Sequence, residues 1–226
     1  MEGIKLILVR YTNAKTLAPA YQRIVSLLLC AVFIVFSIQC TSLIGPDDDH
    51  ATLRKRLETI YEIDQKHRSL GKMSPKRIDE QRADDKKNTA EVTAILDEHG
   101  WLGAKDIGRK ANITLFLVIQ HSDLQTQIKY LPMMKEAAQN GKAGKANLAL
   151  LIDRIAIGQN KKQLYGSQLL FKDSAYFLSP IEDPKNLDKR RKSMDLSPMK
   201  EYLGHFKLKW NLNTYLKNPH KKLDPI

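Results

Sequence analysis

The side chains in this chain that could do chemistry are polar groups placed on, or at the ends of, apolar helical stripes. Asp64 and Arg68 continue the spacing of Leu53, Leu57 and Ile60. Asn88 stands one turn before Val92, Ile95 and Leu96, and Gln120-His121 closes the run ITLFLVI at 113–119. Asp153-Arg154 interrupts residues 146–157, ANLALLIDRIAI, which are otherwise apolar on nearly every side; Gln163, Tyr165 and Gln168 follow in QLYGSQ. A helix apolar all round is normally buried. A charge seldom enters an interior without a partner.

Three uses fit these residue types. In the first, they line a pocket for a small polar or anionic ligand or an envelope partner. Arg68 and Arg154 would offer forked donors to a carboxylate or phosphate, Asn88, Gln120, Gln163 and Gln168 would set orientation, and Tyr165 would form a wall with a polar tip. In the second, a hydrolase-like site uses His121 as general base, oriented by Asp64 or Asp153, with Tyr165 as proton donor. In the third, the groups form a buried network that cross-links helices, with Asp64 or Asp153 paired to Arg68 or Arg154. Such pairs add little net stability, yet removing one partner costs about 3–5 kcal/mol.

Other chemistries find no support. His50, His67, His99 and His121 lack the HExxH spacing and a nearby second ligand, so no metal site and no cofactor is expected. Ser167 in GSQ lacks the flanking glycines of a nucleophile elbow. GKAGK at 141–145 lacks the spacing and preceding strand of a phosphate-binding loop, and Met133-Met134 reads as core filling.

The elements that must position these groups are mostly helices. Periodicity predicts helices over about 50–70, 84–100, 106–121 and 124–138, and over 146–157. Gly71 to Arg82 reads as a polar loop or helix restart, and Pro132 should kink or divide the fourth helix. Beyond Gly158 the pattern shortens into a small β-hairpin near 163–181, then two short helices started near Pro184 and Pro198. Residues 204–226 read as a basic, loosely held tail. The expected fold is mainly α: a bundle-like single domain over 50–203 with one small hairpin.

Composition separates the first 40 residues from the rest. Lys5, Arg10, Lys15 and Arg23 precede an uncharged stretch, IVSLLLCAVFIVFSI at 24–38, which ends near Cys40. Fifteen apolar residues are short for a bilayer span and suit the core of an export signal. Both cysteines, Cys30 and Cys40, lie in or beside it. Cys40 stands where a lipoprotein signal places its lipidated cysteine, so residues 1–40 are expected to be that signal, with a plain signal peptide or membrane anchor as alternatives. Residues 41–49 would be a tether. The chain carries +12, and +9 from Cys40 onward. The surplus at Lys161-Lys162, Lys189 to Lys192, Lys207, Lys209, Lys217 and Lys221-Lys222 reads as a solvated basic face. In an exported protein nucleic acid is not the expected partner.

Seven segments in order carry a family resemblance: DQKHR at 64–68, DKKN at 85–88, GW at 100–101, QH at 120–121, LLIDR at 150–154, QLYGSQ at 163–168, and DPKNLDKRRKSMDLSPMKEY at 183–202. Together they resemble a bacterial family, domain of unknown function 6624, over about residues 50–203. The resemblance implies the domain limits and fold, and no reaction.

The lipidation site is directly testable. Cys40→Ala should release the protein from membranes or block its maturation. Unchanged mass and membrane retention would remove Cys40 as the anchor.

Overall fold

A computed structural model of the chain describes residues 46–68, 74–219 and 222–226. The expected signal, Cys40 and residues 41–45 of the tether lie outside the described residues, and 46–49, expected as tether, belong to the first helix. From His50 to Ile226 the chain forms one compact unit.

The first helix, α1 (Pro46–Arg68), buries the stripe Leu53, Leu57, Ile60 and Asp64, each 3% exposed or less. The polar residue on the apolar face is therefore a true interior group. Next, α2 (Pro75–His99) begins well before the start expected near Asp84. The Ser74 hydroxyl accepts from the Arg77 N–H, and Pro75 fills the first turn where its missing N–H costs nothing. Apolar periodicity missed these first turns because most of their side chains stand at or near the surface. Farther on, Asn88, Val92, Ile95 and Leu96 are buried as one stripe.

The segment expected as a third helix is divided. A short turn, α3 (Ala104–Ile107), ends at Gly108, whose φ of +82° L side chains rarely adopt; α4 (Arg109–His121) then starts afresh. The run ITLFLVI is helical, and α4 is the central helix, burying Ala111, Leu115, Phe116, Val118 and Ile119. Asp123 caps α5 (Leu124–Gln139) through the Thr126 N–H. Of the two outcomes expected at Pro132, a kink or a division, division does not occur: one helix runs through it. The last bundle helix is α6 (Lys145–Gly158), packed chiefly on α5 and also on α4. A Cβ on Gly158 would fall 2.9 Å from a Leu124 methyl, so the end of α6 and the start of α5 approach closely.

A second apolar cluster follows. The antiparallel hairpin β1 (Leu169–Lys172) and β2 (Ala175–Leu178) turns on Asp173-Ser174, both at positive φ, as a two-residue hairpin turn requires. After a 3-10 turn (Pro184–Asn186) come α7 (Leu187–Ser193), α8 (Met199–Gly204) and α9 (Leu212–Lys217). Leu178, Ile181, Leu187, Met199, Leu203, Leu208 and Tyr215 form their core. The loose tail expected at 204–226 is not loose. The Tyr215 hydroxyl accepts from the Ile181 N–H at 2.7 Å, and the Leu223 N–H donates to Tyr176. Buried apolar contacts and backbone pairing hold this end, which its lysine content obscured. Among the described residues the architecture is nine α-helices and one two-stranded hairpin, and no helix is long and apolar enough to cross a membrane.

Candidate functional site

At the bundle end where α1, α4 and α6 finish, Asp64 is the hub. One carboxylate oxygen lies 3.0 Å from His121 Nδ1 and 3.1 Å from Arg68, and the other accepts from Gln65 Nε2 at 2.7 Å. Arg68 reaches on to Asp85 of α2 at 2.9 Å, so one guanidinium links α1 to α2 while the His121 contact links α1 to α4. Burial pushes the Asp64 carboxyl up, but the His121 hydrogen bond and charge, then Arg68 and Gln65, outweigh it and hold the group below its usual range.

The pair is not sealed. His121 keeps 17% and Arg68 19% of their side-chain surface exposed. With Nδ1 facing Asp64, the other ring nitrogen, Nε2, has no hydrogen-bond partner among the described residues. Arg68 also lines an open groove of about 560 Å³ with Glu62, Ile63, Gln65 and Lys66. The turn carrying His121 is braced by Gln127, whose amide donates to the carbonyls of Gln120 and Ser122. This geometry can orient an imidazole for proton transfer.

Three of the expected ligand-binding residues beside this hub carry unpartnered polar atoms. Asn88 Nδ2, Gln120 Oε1 and Arg154 Nε are buried without a hydrogen bond among the described residues. Asn88 lies one turn past Asp85, and Gln120 immediately precedes His121. Arg154, half-buried on α6, forms no ion pair among the described residues. Burial, and then the like charge of Arg68, pulls its guanidinium below the usual arginine range. Buried polar atoms are nearly all paired in folded proteins; the other such atoms among the described residues are Arg77 Nη2 and Trp101 Nε1.

The remaining candidates go elsewhere. Asp153, fully buried, accepts from the N–H groups of Leu164, Tyr165 and Ser167 and from the Ser167 hydroxyl, at 2.7–3.2 Å. Its oxygens are saturated, so it neither orients His121 nor pairs with an arginine. Gln163 and Gln168 are likewise spent inside the loop. The Gln163 amide donates to the carbonyls of Gln168 and Ser179, and its oxygen accepts from the Gln168 N–H; the Gln168 side chain bonds Ser167 and Leu150. They are structural groups, not ligand contacts. Tyr165 is also misplaced as a proton donor. Burial, then Asp153, raises its hydroxyl, Arg190 lowers it, and no contact joins it to His121.

Some functional neighbours escaped sequence reasoning. Asp85 stands one turn before Asn88 in DKKN, so its placement was readable from the spacing. Arg190 and Arg191 were counted into a solvated basic face. Instead Arg191 is 1% exposed, donates to the carbonyls of Tyr165 and Ser197, and lies over the Tyr202 ring at 4.8 Å. Arg190 holds the Leu164 and Asp183 carbonyls. In KRRK nothing but tertiary contact separates the buried arginine from its solvated neighbours. Among the described residues no three His, Cys, Asp or Glu side chains gather as a metal site.

The hub predicts a stability defect with a pH signature. Asp64→Asn leaves Arg68 and His121 facing a neutral group and should cost about 3–5 kcal/mol in urea unfolding at neutral pH. Because the folded carboxyl titrates lower than the unfolded one, near 3.9, its contribution is complete above that value and fades as pH falls through the folded one. The gap between wild type and variant should therefore narrow below about pH 4; a gap constant down to pH 2 contradicts the assignment.

No curated protein and no solved structure matches the chain. Residues 55–214, most of the length, match a family model described as a Family of unknown function (DUF6624). The stretch runs from α1 to α9 and contains the hub, the Asp153 loop and both arginines of KRRK. The chain belongs to the Family of unknown function, DUF6624.

Proposed function

We propose that this domain binds a small anionic ligand at the bundle end formed by Arg68, Asn88, Gln120, His121 and Arg154. The observation that carries the reading is Arg154: a half-buried guanidinium that forms no ion pair among the described residues, its Nε buried and unbonded among them, under the like charge of Arg68. An anion there would relieve both costs, since a charge-assisted hydrogen bond satisfies the donor and neutralises the repulsion. Asn88 Nδ2 and Gln120 Oε1 supply one further donor and one acceptor for a polar ligand. A cell-envelope location, with attachment at Cys40, belongs to the same proposal and rests on the N-terminal sequence.

The test is a thermal-shift titration of the full chain with inorganic phosphate and with citrate. Tm should rise with concentration, following the logarithmic dependence of a ligand that binds the folded state alone, and the rise should vanish in Arg154→Gln. Equal behaviour of wild type and variant would reject the site.

A second reading, acid–base hydrolysis, is favoured by the 3.0 Å contact between His121 Nδ1 and Asp64, with Nε2 unpartnered among the described residues. A base so oriented contributes on the order of 10²–10⁴ in rate. Hydrolysis of p-nitrophenyl phosphate or p-nitrophenyl acetate by the wild type should then drop by about that factor in His121→Gln. Turnover no faster than buffer removes this reading without touching the binding proposal.

A further inference from the structure

Among the described residues, five of the six exposed large apolar side chains belong to the second apolar cluster and its surroundings: Leu170, Phe171, Phe206, Leu216 and Ile226, against Ile113 in the bundle. Part of this set is contiguous. Phe171, 62% exposed, meets Tyr176 at 4.8 Å; Tyr176 meets Phe206, 40% exposed, at 5.9 Å; and Phe206 meets Tyr202 at 5.4 Å. Ile226, the most exposed of all at 76%, is tied by its N–H to the Lys207 carbonyl, beside Phe206. Single exposed apolar residues need no explanation, but a joined aromatic row does.

Charge along this row has one predominant sign. Lys172 adjoins Phe171, Lys207 adjoins Phe206, and Lys200 and Lys209 flank Tyr202 and Leu208; all four are exposed, and none forms an ion pair among the described residues. Asp173, Glu201 and Asp224, whose carbonyl accepts from the Lys209 N–H, are the neighbouring acids. Over residues 161–226 there are 14 Lys+Arg against 7 Asp+Glu.

We propose that this aromatic and lysine-rich face docks on an anionic lipid bilayer. Phenylalanine and isoleucine would enter the headgroup–acyl boundary, tyrosines would keep their hydroxyls at headgroup level, and lysine stems would extend toward lipid phosphates. The rings stand at 53°, 59° and 70° to one another, so the row offers no single flat platform on which successive bases could stack. The proposal is independent of the small-ligand site, which lies at the end of the helical bundle.

The experiment uses the full chain with Phe171→Trp and, separately, Ile113→Trp, each read as the difference from the parent. Vesicles contain phosphatidylcholine with phosphatidylglycerol, and the lipids carry brominated acyl chains that quench tryptophan on contact. The Phe171→Trp signal should be quenched, the quenching should be lost in pure phosphatidylcholine and in the Lys172→Glu/Lys207→Glu background, and Ile113→Trp should stay bright. Equal quenching at both positions overturns the proposal, because membrane attachment through another part of the chain would then explain it. Absence of quenching at Phe171→Trp also overturns it. So does an identical emission change with heparin in place of lipid, which would make the partner a soluble polyanion. Unchanged circular dichroism of each variant confirms that the fold is intact.

Discussion

The structure depends most on the Asp153 carboxylate. Asp153 projects from α6 in the helical bundle, and its two oxygens gather three backbone N–H groups and one hydroxyl from the loop that begins the second apolar cluster. Those donors have little else to bond, and a carboxylate without them would be a bare charge in the interior. Each side therefore makes the other tenable. Gln163 then braces the loop by standing in for a missing strand, with Arg190 and Arg191 holding its carbonyls from outside. The two apolar clusters are joined through polar groups, and that leaves the hairpin in a defined place.

This saturation is what gives the other polar cluster its meaning. Asp153, Gln163 and Arg191 are buried and bonded, as interior groups usually are. On α2, α4 and α6, the same kinds of residue leave Asn88 Nδ2, Gln120 Oε1 and Arg154 Nε without partners among the described residues. Leaving a guanidinium under the charge of a second arginine carries a stability cost, and uncompensated polar groups of this kind are more often found at sites that take a ligand. The Asp64 hub itself is fully engaged, and its role is to hold Arg68 and His121 still.

Much of the fold was legible because it is local. Helical periodicity placed the buried stripes of α1 and α2 correctly, including Asp64 and Asn88 as interior polar groups, and the hairpin was visible in the change of pattern after Gly158. What failed was also physical in origin. The early turns of α2 left a polar loop and a helix restart undecided, because few of their side chains enter the core. Pro132 was expected to kink or divide α5, and the helix is not divided. The end of the chain looked like a solvated tail because its lysines outnumber the buried Leu208 and Tyr215 that pin it.

Taken alone, the sequence determined which polar side chains lie on apolar faces, since that follows from the 3.6-residue period of a helix. It also placed His121 at a helix end with aspartates as possible partners. Tertiary structure alone decided the pairing. Asp153 and Arg154 are neighbours in the chain, yet they stand about 100° apart around α6, so one turns to the Asp153 loop and the other toward Arg68. His121 meets Asp64 and not Asp153 for the same reason. Which face of one helix meets which face of another depends on how all the helices pack, and no single stripe contains that information.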